Sequence, residues 1–132
     1  MLNEQDIKPA ELKEDEKPYN IRHRRYYFSK NILLFVKDCK FAKVYNSLFD
    51  QLIRSATSIG ANLVEGKAGS SKKDWEKYLV IALKSANETK YWLCLIRDTL
   101  ETDERETSKL LNEVEEISNI MASIIINSYK KE

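Results

Sequence analysis

From residue 19 onward the chain has no proline and only three glycines, Gly60, Gly66 and Gly69, while apolar residues recur along it at spacings of three and four. That period belongs to the α-helix, and so few turn formers cannot supply the many tight connections of an all-β fold. The same scarcity leaves no glycine-rich cradle for phosphate, neither a Walker loop nor a dinucleotide fingerprint. Long helices with few connections are the economical fold. At 132 residues the chain makes one domain with a core that needs neither disulfide nor metal.

Four periodic segments can be delimited. The first runs from about Tyr26 to Cys39, with Phe28, Ile32, Phe35 and Cys39 on one face. The second runs from about Phe41 to Glu65. Its broad apolar face takes in Val44, Tyr45, Leu48, Phe49, Leu52, Ile53, Ala56, Ile59 and Leu63, with Gly66 and Gly69 as its stop. Ser71 with Asp74 three residues on has the form of an N-cap and opens a third helix over Lys72 to Thr99. Asp103 with Glu106 does the same for a fourth, which reaches about Tyr129 through Leu110, Val114, Ile117, Met121 and Ile124. Short links between long amphipathic helices specify an all-α, antiparallel up-and-down four-helix bundle over residues 21–132. Residues 1–20 hold both prolines, Pro9 and Pro18, and too little apolar periodicity to order, so a mobile charged arm is expected there.

Composition excludes several functions. One histidine, His23, cannot build a multi-histidine metal site or the Glu-x-x-His pattern of di-iron bundles. Glu65 and Glu88 fall inside helices without a nearby nucleophile, so no enzyme and no cofactor is expected. Cys39 and Cys94 lack metal or redox spacing and read as buried free thiols of a reducing compartment. No signal pattern or membrane-length apolar run is present, which makes a soluble, cytoplasmic protein the expectation. The 22 basic and 21 acidic residues nearly cancel, yet residues 1–20 hold three basic and six acidic groups while residues 21–54 hold eight and two. A compact fold can therefore present a basic end.

The third helix carries two apolar stripes. Trp75, Leu79, Ala82, Ala86, Leu93, Ile96 and Leu100 form one, and Val80, Leu83, Tyr91 and Cys94 form a second on roughly the opposite side. One stripe suffices for a bundle core. The other is a candidate interface, to be covered by an identical subunit or by the first helix. Trp75, Tyr78, Tyr91 and Trp92 read as packing rather than as a base-stacking platform. On the second helix, Gln51, Arg54, Ser58, Asn62 and Glu65 make a polar band beside the apolar face. Either it hydrogen-bonds across helices, to Ser85 or Glu88, and fixes register, or it forms a polar subunit interface or ligand-facing wall.

The spacing Ser58-Ile59-x-x-Asn62-Leu63-x-Glu65-Gly66, which Arg54 precedes, is followed by a short Gly/Ser loop and then by Asp74, Tyr78-Leu79-x-x-Ala82-x-x-Ser85-x-x-Glu88 and Leu93. Over about residues 25–128 this resembles the four-helix-bundle family named for the 23S ribosomal RNA intervening sequence. The chain departs from it in Lys84, where the family commonly has glycine, and in the acidic arm. The resemblance implies a homopentamer without known catalysis. It also implies kinship of fold with the accessory variability determinant of diversity-generating retroelements, a pentameric bundle that partners a reverse transcriptase and binds nucleic acid.

Nucleic acid has candidate contacts in the sequence itself. Arg22, Arg24, Arg25 and Lys30 come first for phosphates, then Lys37, Lys40 and Lys43, with Tyr26 and Tyr27 available to stack on unpaired bases. Alternatively the cluster neutralises the acidic arm or covers apolar surface with its stems. The function that follows is a non-enzymatic, oligomeric, RNA- or nucleic-acid-associated adaptor. The competing function is a protein-interaction scaffold, such as an accessory partner of a larger enzyme like a reverse transcriptase, without direct nucleic-acid binding.

Overall fold

A computed structural model of the chain describes residues 21–69 and 71–130; the arm expected over residues 1–20 lies outside them. The described residues form four helices and no strand: α1 (Ile21–Asp38), α2 (Asn46–Ala68), α3 (Lys72–Thr99) and α4 (Glu104–Lys130). Both expected caps are made. Ser71 Oγ accepts from the Asp74 N–H at 3.1 Å, and Asp103 Oδ1 accepts from the N–H groups of Arg105 and Glu106 at 2.9 and 3.2 Å. Each satisfies donors that the first turn of a helix leaves without a partner.

Neighbouring helices run antiparallel. Ser58 meets Ser85 and Ser55 meets Thr89 between α2 and α3, and Lys90 meets Glu115 while Glu76 meets Ser128 between α3 and α4. α1 packs on α2 and on α4, and α3 packs on the same two, which puts α1 and α3 at opposite corners. The core draws on all four helices: Phe28, Ile32 and Phe35 from α1, Leu52, Ile59 and Leu63 from α2, Leu79, Leu93 and Ile96 from α3, and Val114, Ile117 and Met121 from α4.

The boundaries differ from expectation in instructive ways. α1 begins at Ile21 rather than Tyr26, because its first turn is held by arginines that an apolar count does not score. α2 begins at Asn46, behind a 3-10 turn at Lys43–Tyr45, so Val44 and Tyr45 leave the apolar face they were assigned to and are exposed. Trp75 and Leu100, placed on the core stripe of α3, are half-buried at its ends. Gly66 is not a stop. It lies buried inside α2, and a Cβ there would stand 2.8 Å from Trp75 Cε3 and 3.0 Å from Tyr78 Cβ. The helix ends instead at Gly69, whose N–H still bonds the Glu65 and Gly66 carbonyls while its own backbone turns extended.

In a helix interior, Gly to Ala ordinarily gains about 0.5–1 kcal/mol. At Gly66 that gain is opposed by overpacking against the Trp75 ring, worth about 1–3 kcal/mol. Gly66→Ala should therefore lower the thermal midpoint followed by circular dichroism; a rise would show that the α2–α3 contact is looser than its geometry.

Candidate nucleic-acid interface, polar seam and outer face of α3

The basic turn that opens α1 is largely turned inward. Arg24 grips Glu113 of α4 with two parallel bonds, Nε to Oε1 at 2.8 Å and Nη2 to Oε2 at 2.8 Å, and Nη2 also bonds Glu116. The hydrogen bonds that it donates to Glu113, then to Glu116, push the guanidinium further above its ordinary range against the opposing effect of burial, so the charge is permanent. Arg25 is buried, its carbonyl and Cβ facing Gly60 of α2, where an added methyl would sit 3.3 Å from the Arg25 oxygen. His23 is buried and Arg22 half-buried. The arginines that the sequence offered first for phosphate thus lie within the packing of α1, two of them buried.

The second group of candidates is displayed. Lys30, Lys37, Lys40 and Lys43 are all exposed. Tyr26 is 38% exposed, and Tyr27, half-buried, meets it edge to face with ring centroids 6.1 Å apart.

The residues of the two spaced motifs converge on one flank of the α2–α3 contact. Ser58 Oγ lies 3.0 Å from Ser85 Oγ, and Asn62 Nδ2 donates to both the Ser58 Oγ, at 2.9 Å, and the Ser58 carbonyl, at 2.8 Å. Thr89 Oγ1, buried, donates toward Ser55 Oγ at 2.9 Å and toward the Ser85 carbonyl at 2.8 Å, and Ser55 closes on the Leu52 carbonyl. The cross-helix partner expected at Ser85 is found. Glu88 is different: it accepts from Trp92 Nε1 at 3.1 Å on its own helix. Arg54 and Glu65 stand exposed along the flank. Ser55 and Thr89 were not singled out from the sequence, since a hydroxyl at a core position gives no periodic signal of its partner.

In the second stripe of α3, Val80, Leu83 and Cys94 are half-buried, Leu83 and Cys94 on the flank from which Glu76 and Lys90 reach α4, and Tyr91 is 59% exposed. α1, the intramolecular candidate to cover this stripe, sits at the opposite corner. Leu83 also packs against the core, so it serves the single chain as well. Cys39 and Cys94 are free and only half-buried; burial, then the charge of Asp38, pushes the Cys39 thiol up. Among the described residues no three His, Cys, Asp or Glu side chains converge on a metal-sized site, and no helix is long and apolar enough to cross a membrane.

The profile of the 23S rRNA-intervening sequence protein family matches residues 18–123, a span that takes in α1, α2, α3, most of α4 and both halves of the seam. The chain belongs to that family. A crystal structure of a protein of unknown function from the S23 ribosomal protein family of Bacteroides thetaiotaomicron is similar to it, with 33% identity and a TM-score of 0.71 over 80% of this chain and 98% of that one. No protein of curated function matches the sequence.

Two substitutions test the contacts that define this family member's architecture. Arg24→Gln should cost about 1–2 kcal/mol in urea unfolding, below the range for a fully buried pair because Glu113 is 32% and Glu116 62% exposed. Thr89→Val keeps the volume and removes the central hydroxyl, at a cost of about 1 kcal/mol; an unchanged midpoint would mean that Ser55, which already donates to the Leu52 carbonyl, needs nothing from Thr89.

Proposed function

We propose that this family member is a non-enzymatic adaptor that assembles as a homopentamer and associates with RNA or other nucleic acid. The observation that carries the assembly is the outer face of α3. Val80, Leu83, Tyr91 and Cys94 share one side of the helix, Tyr91 is 59% exposed and the other three remain half-exposed, and α1, expected as their alternative cover, packs at the far corner of the bundle. An apolar strip of this kind, on a chain that has already filled its core, calls for a partner surface, and an identical subunit supplies one by symmetry. The resemblance to pentameric bundles supports the count of five.

Association with nucleic acid draws support from the family, which is named for the 23S rRNA intervening sequence, and from the charge of α1. That helix carries five Lys and Arg residues against one acidic residue, Asp38. Repetition of such a helix around an assembly multiplies its field and its valency. The two free thiols suit a reducing, cytoplasmic setting.

Absolute mass by light scattering, with the absorbance ratio recorded for bound nucleic acid, tests both halves. A mass near five chains together with nucleic acid is the expected result. Tyr91→Glu should dissociate the assembly with its helical spectrum intact, since the ring contributes little to the single chain, while Leu83→Glu should dissociate it and also lower stability. A monomeric wild-type chain would overturn the assembly, and a pentamer that takes up no nucleic acid at low salt would favour the protein-scaffold function instead.

A further inference from the structure

We infer that the solvent-facing ridge of α1 is a track for a single nucleic-acid strand, with Lys30 and Lys37 on its phosphates and Tyr26 under one of its bases. This rests on the nucleic-acid association proposed above and assigns it a place and a strand type. Tyr26, Lys30, Leu33 and Lys37 follow one another at spacings of four, three and four, which sets them on one side of a helix. That side lies opposite Phe28, Ile32 and Phe35, the residues that fix α1 to the core. All four are exposed, Tyr26 by 38% and Leu33 by 47%. No carboxylate of α1 interrupts the ridge. Lys43, exposed in the connection to α2, extends the positive charge beyond the helix end. The carboxylates of Asp38, Glu101, Asp103 and Glu106 line a cleft to one side of α1's C-terminal end together with Lys40, and their excess over that one lysine disfavours phosphate on that side.

Geometry selects the strand type. From Tyr26 to Lys37 the helix rises about 16 Å. Proteins that read double-stranded RNA by shape span about 16 base pairs and contact two successive grooves, for which one convex ridge of this length is too short. A tyrosine ring reaches a base face only where the base is unstacked, and Tyr26, braced edge-on by Tyr27, is presented for that contact. Lysines along the backbone and an aromatic among them are the minimal form of a sequence-tolerant single-strand site.

The test uses the full-length assembly, a fluorescent oligouridine of about a dozen nucleotides and a mixed-sequence RNA duplex of equal length, with binding followed by anisotropy at several salt concentrations. The single strand should bind more tightly than the duplex. Lys30→Ala with Lys37→Ala should weaken its binding at least tenfold and reduce the salt slope by about 1.4, two phosphate contacts at about 0.7 each. Tyr26→Ala should weaken binding roughly tenfold with the salt slope unchanged, the mark of a lost stack rather than a lost charge. Arg105→Ala with Lys109→Ala, exposed on the first turns of α4, removes the same charge elsewhere and should change affinity less than threefold. Single-strand binding that survives the Lys30 and Lys37 changes, or a duplex bound as tightly, overturns the track and leaves the nucleic-acid association standing. Binding of neither RNA overturns both.

Discussion

The close approach of α2 to α3 sets the rest of the molecule. Ala56, Ala82, Ala86 and Gly66 are all buried, and side chains this small let two helices lie near enough for short hydroxyls to reach across. The apolar contacts alone would tolerate sliding by a turn, because one alanine or leucine serves much as another. The hydroxyls would not. A slip would separate Ser58 from Ser85 and Ser55 from Thr89, breaking both cross-helix bonds and leaving Thr89 only the carbonyl of Ser85 on its own helix. Small residues bring the backbones together, and the polar pairs choose one register.

Once that pair is in register, the other two helices dock differently. α4 brings a long, regular apolar face through Leu110, Val114, Ile117 and Met121. α1 is shorter and fully buries only Phe28, Ile32 and Phe35, with Ile21 of its first turn packed in part, so that turn draws on a further anchor. The bidentate pair from Arg24 to Glu113 supplies it, and the approach of Arg25 to Gly60 seats the same turn on α2. Arginine suits this position because its planar fork matches a carboxylate and its stem covers apolar surface.

The helices α3 and α4 and both caps were legible in the sequence, since cap chemistry and strict periodicity agreed there. The Ser58 to Ser85 contact was legible too, because two polar residues beside apolar stripes must face each other if the stripes do. What the sequence concealed was the destination of charge. Arg22, Arg24, Arg25 and Lys30 look alike as letters in a basic run, but helical geometry sends Arg24 and Arg25 toward neighbouring helices and Lys30 outward. Glu113 and Glu116, 89 and 92 residues away from Arg24, carry no local mark of their role. Gly66 misled for a related reason: a glycine near a helix end reads as punctuation, whereas here its missing side chain makes room for Trp75.

The arrangement of corners bears on how an assembly and a nucleic-acid strand would share this small bundle. α1 and α3 each pack on α2 and α4, so their solvent-facing sides point away from each other. Subunits joined through α3 would therefore keep α1 on the outside, and the apolar strip that demands burial does not compete with the basic ridge that demands access. The inward commitment of Arg24 sharpens the division. Its charge fixes α1 to α4 and is largely neutralised by Glu113 and Glu116, while the exposed lysines keep a field that phosphate can feel. One helix thereby separates the cations that hold it in place from those it offers to solvent.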